Sequence, residues 1–123
     1  MVRLWIAMKT EQFQGFEIIF GTSARENDRV TTELADAQDF WFHAAGYAGT
    51  HLVVRNPENL SELPREVERY AAQLAVSHSK AKNARGKVEV HVARAGDVKK
   101  PKGMPPGKVL LRNYRSVKVY APD

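Results

Sequence analysis

The side chains whose types could do chemistry are two histidines, His43 and His51, with Asp39 just upstream of the first and Asp28 further back. Two imidazoles and a carboxylate could hold zinc or iron. With both carboxylates they could form an acid–base group acting on RNA or on a hydrolysable bond. The spacing, however, matches no closed ligand motif, and a hairpin brings two histidines together without any functional reason. The expectation is therefore structural: ring nitrogens bonded to backbone in a partly buried sheet, with no metal, no cofactor and no catalytic residue assigned. Asn27 and Asp28 leave two readings open: an amide and carboxylate serving a site, or Asp28 tying down a neighbouring loop or pairing with an arginine. Ser77 and Ser79 lie in an alanine-rich helical stretch, where a hydroxyl more often bonds back to a carbonyl than attacks. There is no nucleophile elbow, no HExxH and no Walker loop.

A different chemistry is concentrated in Lys99-Lys100-Pro101-Lys102-Gly103-Met104-Pro105-Pro106-Gly107-Lys108. Four lysines sit on a segment stiffened by three prolines, so little freedom is lost when they meet phosphate. Gly103 and Gly107 allow a ligand close to the backbone. The surroundings agree. Residues 80 to 118 carry twelve basic side chains against Glu89 and Asp97, a local charge of +10 in a chain whose net charge is +5. Concentrated positive charge is the footprint of a polyanion, since neutralised phosphates release condensed counterions. Arg112 and Arg115 flank Tyr114 at an expected hairpin tip, and Tyr47, Tyr114 and Tyr120 could stack on unpaired bases.

The 123 residues suit one domain, 1–123, and can bury a core at 43% hydrophobic and 27% charged content. No apolar run is long enough to cross a membrane. With no cysteine, thiolate chemistry and sulfur-ligated zinc are out, and a cytoplasmic location is expected.

The elements that must position these groups read as α+β. Arg3 to Met8 alternates like a strand leading into a turn around Glu11–Gln14. Phe16–Phe20 is aromatic and β-branched. Ser23-Ala24-Arg25-Glu26 matches a capping box, opening a short helix to about Leu34 that Val30, Thr31 and Thr32 weaken. Phe40–Ala44 and Thr50–Arg55 read as a strand pair joined in a hairpin through Gly46 and Gly49, and Phe40, Trp41 and Phe42 cannot all face water. A long helix is expected from Glu62 to Arg85, with Val67, Tyr70, Ala71, Leu74 and Ala81 as its apolar stripe and Gly86 as its stop. Val88–Val92 alternates cleanly; 98–108 must be loop; Val109–Leu111 and Ser116–Tyr120 close the sheet. The result is a mostly antiparallel or mixed sheet packed against one long and one short helix.

Several ordered blocks carry a resemblance. Gly21 with Arg25-Glu26-Asn27-Asp28-Arg29-Val30-Thr31, Asp39-Phe40-Trp41-Phe42-His43-Ala44, and Gly49-Thr50-His51-Leu52-Val53-Val54 resemble the NFACT-R domain. So do Ala71-Ala72-Gln73-Leu74-Ala75 with Ser79-Lys80-Ala81, and Lys99-Lys100-Pro101-Lys102-Gly103 with Pro106-Gly107-Lys108-Val109. The likeness covers about residues 15 to 120. On it the motif positions are Asn27, Asp28, Asp39, Trp41, His43, Gly49, His51, Pro101, Gly103 and Gly107. The family's Pro-Gly-Ser-His turn stands here as Ala48-Gly49-Thr50-His51, keeping glycine and histidine without the proline.

The resemblance implies an RNA-binding module of the kind carried by the RqcH and NEMF ribosome quality-control factors. The partner it implies is structured RNA, tRNA or rRNA, on the large ribosomal subunit or in an RNA-modification setting. The 123 residues hold no NFACT N-terminal domain, helix-hairpin-helix or long coiled coil, so tRNA recruitment and tail elongation are not expected of them. The expected phosphate contacts are Lys99, Lys100, Lys102 and Lys108, seconded by Arg25, Arg29, Arg112 and Arg115. Two rivals remain: an RNA-modifying or hydrolytic enzyme built on Asp28, Asp39, His43 and His51, and a protein-interaction module on the ribosome.

Overall fold

Strand Lys9–Phe13 (β1) folds back on Phe16–Phe20 (β2) with Phe13 opposite Phe16, so the turn is only Gln14 and Gly15. Both have positive φ, 49° and 86°, as the two central residues of a mirror-image hairpin turn require. This corrects the expected turn at Glu11–Gln14: glutamine is a poor advertisement for a left-handed position. The expected strand at 3–8 lies outside the described residues apart from Met8, since the computed structural model describes residues 8–122.

Strands Phe40–Ala44 (β3), Leu52–Val54 (β4), Lys87–Arg94 (β5) and Arg115–Tyr120 (β8) complete a six-stranded sheet in the order β1-β2-β4-β3-β5-β8. Every neighbouring pair is antiparallel. The twofold side-chain period sorts the residues onto two apolar layers. Ile18, Phe20, Phe40, Phe42, Leu52, Val54, Val90 and Val92 face a helix at Arg65–Ser77 (α2), which contributes Val67, Ala71, Ala72, Ala75 and Val76. Ile19, Trp41, Val53 and Ala93 face the other way and pack with Val30, Val98 and Met8. The aromatic run Phe40-Trp41-Phe42 thus serves both layers.

The second face is covered by a short helix, Ala24–Arg29 (α1), and by a two-stranded ladder of Val98–Lys99 (β6) and Leu110–Leu111 (β7). Ser23 caps α1, its Oγ accepting from the Glu26 amide at 3.2 Å. Glu26 reaches back one residue further than a capping box would, to the Thr22 amide at 2.7 Å. Beyond Arg29 the helix widens into a π turn, Val30–Leu34, where the β-branched residues had weakened the α pattern.

Two expectations are corrected. The long helix stops at Ser77, not Arg85, because the backbone that follows pairs with the 48–50 turn. Thr50 N–H donates to His78 O at 3.1 Å and Lys80 N–H to Ala48 O at 2.9 Å. Pro64 precedes the first turn of α2 as its cap position. Nor is there a hairpin with its tip at 112–115: β7 pairs with β6, and β8 pairs with β5.

Candidate nucleic-acid interface

The motif residues meet where α1 crosses the end of β4. Asn27 is buried, and its side chain does the work of a backbone: Oδ1 accepts from the His51 amide at 3.1 Å and Nδ2 donates to Gly49 O at 3.2 Å. Thr50 Oγ1 donates to Gly21 O at 2.7 Å. The Gly49 backbone lies so close to Ser79 that a Cβ there would stand 2.5 Å from the Ser79 Cβ and 2.8 Å from its Cα. A side chain at 49 would therefore pry the 48–50 turn from the end of α2, which is why glycine stands in the Ala48-Gly49-Thr50-His51 turn.

Asp28, the next residue, holds the other side. Its Oδ1 accepts from the Gly107 amide at 3.1 Å and its Oδ2 lies 3.4 Å from Lys100 Nζ. Of the two readings left open for Asp28, the structure shows the loop tie. The tied loop is two tandem turns, closed by Met104 N–H to Pro101 O at 3.2 Å and Lys108 N–H to Pro105 O at 3.1 Å. Gly103 and Gly107 occupy the third position of each turn with φ of 87° and 82°, and Pro106 the second position of the latter.

Within this loop the four lysines part company. Lys100 is turned inward, its ammonium donating to Lys108 O at 2.6 Å and to Pro105 O besides facing Asp28. It staples the loop. Lys99, Lys102 and Lys108 are exposed, with no ion-pair partner among the described residues. Arg25 and Arg112 are exposed; Arg29 lies 3.8 Å from Glu33, and Arg115 is held by Glu68 of α2. Removing the tie has a measurable consequence. Asp28→Ala is expected to speed hydrogen exchange at the Gly107 amide about tenfold, the worth of one charge-assisted hydrogen bond. Unchanged exchange would remove Asp28 from this role.

His43 and His51 do come together, ring centroids 5.3 Å apart and nearly perpendicular. His51 is 1% exposed, and its Nδ1 lies 2.8 Å from Thr31 Oγ1, which also accepts from Trp41 Nε1 at 2.9 Å. The Thr31 hydroxyl thus bridges the buried indole and the His51 imidazole. His43 Nδ1 lies 3.1 Å from Thr50 O, which can only accept. Both rings are neutral near pH 7. Burial, with a smaller contribution from neighbouring His43, lowers the His51 pKa to about 4, and burial likewise lowers that of His43.

The sign of the resulting pH dependence is fixed. A histidine with a folded pKa below its unfolded 6.5 contributes fully above pH 6.5 and loses that contribution as pH falls toward 4. For His51 alone the loss between pH 7 and pH 5 is about 2 kcal/mol. His51→Gln is expected to flatten the urea-midpoint profile over that range; an unchanged slope would refute it.

Asp39 does not join them. It sits at the opposite end of β3, buried, accepting from the Asp36 and Asn56 amides at 2.8 Å each and from Arg55 Nη1 at 3.2 Å. The four residues of the enzyme reading therefore do not converge, and among the described residues no three His, Asp or Glu form a metal-ligating group.

What the scaffold builds instead is a groove of about 1110 Å³. Its floor holds Trp41, His43, His51 and His91; its walls are the 21–24 segment, the 46–50 turn, residues 77–80 and 82 at the end of α2, and the C-terminal arm of the proline loop, 106–111. Lys80, Lys82 and Lys108 line it and no Asp or Glu does. Sequence reasoning missed Lys80, Lys82 and His91 as site residues because it placed the first two on a helix and the third in a plain strand. The short Ser77-His78-Ser79 run, poor in helix formers, was the available signal.

A model of the family described as NFACT protein RNA binding domain matches residues 1–113. The protein Rqc2 homolog RqcH of Bacillus subtilis (strain 168) is 34% identical over 113 residues, 92% of this chain and 19% of its own length. Its namesake in Streptococcus suis (strain 05ZYH33) is 33% identical over 102 residues, 83% of this chain and 18% of its own. This chain thus spans less than a fifth of either relative. The solved C-terminal part of the fibronectin/fibrinogen-binding protein from Streptococcus suis superimposes with a TM-score of 0.83 at 29% identity, over 95% of this chain and 46% of that one. By the length of the family match and the identity of these relatives, the chain belongs to the NFACT protein RNA-binding domains.

Proposed function

We propose that this chain binds structured RNA, tRNA or rRNA, by docking backbone phosphates on Lys99, Lys102 and Lys108 and on Lys80 or Lys82 across the groove. The observation that carries this is the groove's composition: three lysines and four histidines line it without one carboxylate. Lys100 and Asp28 hold the loop that presents the outward lysines. Sequence reading would be slight, because phosphate contacts position a protein without reporting the base. Membership of the family, and relatives that are RqcH proteins, support a role on the large ribosomal subunit in ribosome-associated quality control.

Fluorescence anisotropy with a labelled tRNA, between 50 and 200 mM salt, tests the reading. Neutralising about four phosphates gives a log–log slope of roughly −3.5. A slope near zero, or no binding at the low-salt end, would sink it. Co-sedimentation with isolated large ribosomal subunits, lost at the same salt as tRNA binding, tests the ribosomal assignment.

A further inference from the structure

Charge explains why the groove attracts a polyanion, but the groove carries more aromatic surface than charge requires. Among the described residues the large apolar side chains left exposed are Tyr47, Leu110, Tyr114 and Tyr120, and all but Tyr120 line this groove. Tyr120 lies elsewhere, its ring under the Lys87 ammonium at 5.5 Å. Tyr114 is 53% exposed, yet it is not loose: its ring meets the His91 imidazole in a tilted contact, with centroids 4.6 Å apart and planes at 52°. With Tyr47 and Leu110 it makes an exposed apolar patch along the groove, and such patches mark interaction sites. An exposed ring suits a stacking partner, and every nucleobase has a π face.

A base within a duplex presents only its edge, because its faces are already stacked. An unpaired base presents a face. The groove offers such a base one more recognisable feature. His43 must donate its Nδ1 proton to Thr50 O, so the neutral ring keeps Nε2 as an acceptor on a residue that lines the groove. An amino or imino group of a base would supply the proton.

We propose that the groove receives one unpaired nucleotide of the bound RNA. Its base stacks on the exposed ring of Tyr114, and its flanking phosphates lie on Lys108 and on Lys80 or Lys82. This rests on the phosphate-docking reading above and assigns to it a nucleotide conformation.

Two fluorescein-labelled RNAs of equal nucleotide count separate the possibilities: a stem with an unpaired loop, and a blunt duplex. The unmodified protein is expected to bind the looped RNA about tenfold more tightly, the usual worth of one stacked base. Tyr114→Ala should erase that preference and leave duplex binding unchanged, while Tyr114→Phe should retain it. A 2-aminopurine placed in the loop should be quenched on binding to the unmodified protein and less so with Tyr114→Ala. Equal affinity for the two RNAs, or a loop preference that survives Tyr114→Ala, overturns this proposal and leaves phosphate docking standing. Binding to neither RNA at low salt overturns phosphate docking, and this proposal with it.

Discussion

Replacing Asn27 with alanine is expected to remove about 3 kcal/mol of folding stability, a large fraction of what a domain of this size possesses. The change deletes the acceptor for the His51 amide and the donor to Gly49 O. Both groups lie under α1, where Asn27 itself is only 6% exposed. A buried amide and a part-buried carbonyl left without partners lose about 1–3 kcal/mol each, the carbonyl toward the lower end. Alanine's better helix propensity returns about half a kcal/mol, too little to matter. In urea this is a fall in midpoint of about 2 M at an unchanged slope. Asn27→Asp should lie between, since it keeps Oδ1 for His51 while setting a carboxylate oxygen against Gly49 O. A midpoint shift under half a molar for Asn27→Ala would show that the 49–51 turn is held by other means.

That prediction could not have been made from the sequence, although every residue in it had been singled out. What the chain shows on inspection are features decided within a few neighbours: the aromatic strand at 40–44, the Ser23 cap, the alternation through Val88–Val92. What it hides depends on partners far along the chain. Helical periodicity runs on past Ser77, but the Thr50 and Lys80 amides find carbonyls in the opposing segment and pull 78–80 out of the helix. Residues 112–115 look like a hairpin tip only while β7 has no alternative; Val98–Lys99 provides one.

The site divides in the same way. Charge could be summed from composition, and it drew attention to the proline loop. Direction could not. Lys100 is chemically indistinguishable from Lys99 and Lys102 in sequence, yet its ammonium is spent on two carbonyls and Asp28. Asp39 seemed to belong with the histidines because it stands near them in the chain, but four residues of strand carry it to the far end of β3, where it secures Arg55 and Asn56. Tyr47 and Tyr114 enter one groove from segments far apart in sequence, which only the sheet order β3-β5-β8 and the 46–50 turn bring about.

This sorting makes the charge-reversal experiment decisive. The triple change Lys99→Glu, Lys102→Glu, Lys108→Glu is expected to weaken tRNA binding about a thousandfold near 100 mM salt and to reduce the salt slope by nearly three. Each lost phosphate contact is worth close to tenfold at that ionic strength, and the new carboxylates add repulsion. The fold should be untouched, because all three side chains point outward and none has an ion-pair partner among the described residues. Lys100→Gln should do the reverse: it removes the staple between Asp28 and the Pro105 and Lys108 carbonyls, so the loop loosens while the salt slope barely moves. A module that docks on protein, not RNA, would keep its ribosome association through the triple reversal. Retained tRNA affinity in that variant, with its unfolding midpoint unchanged, would move the RNA interface off this loop altogether.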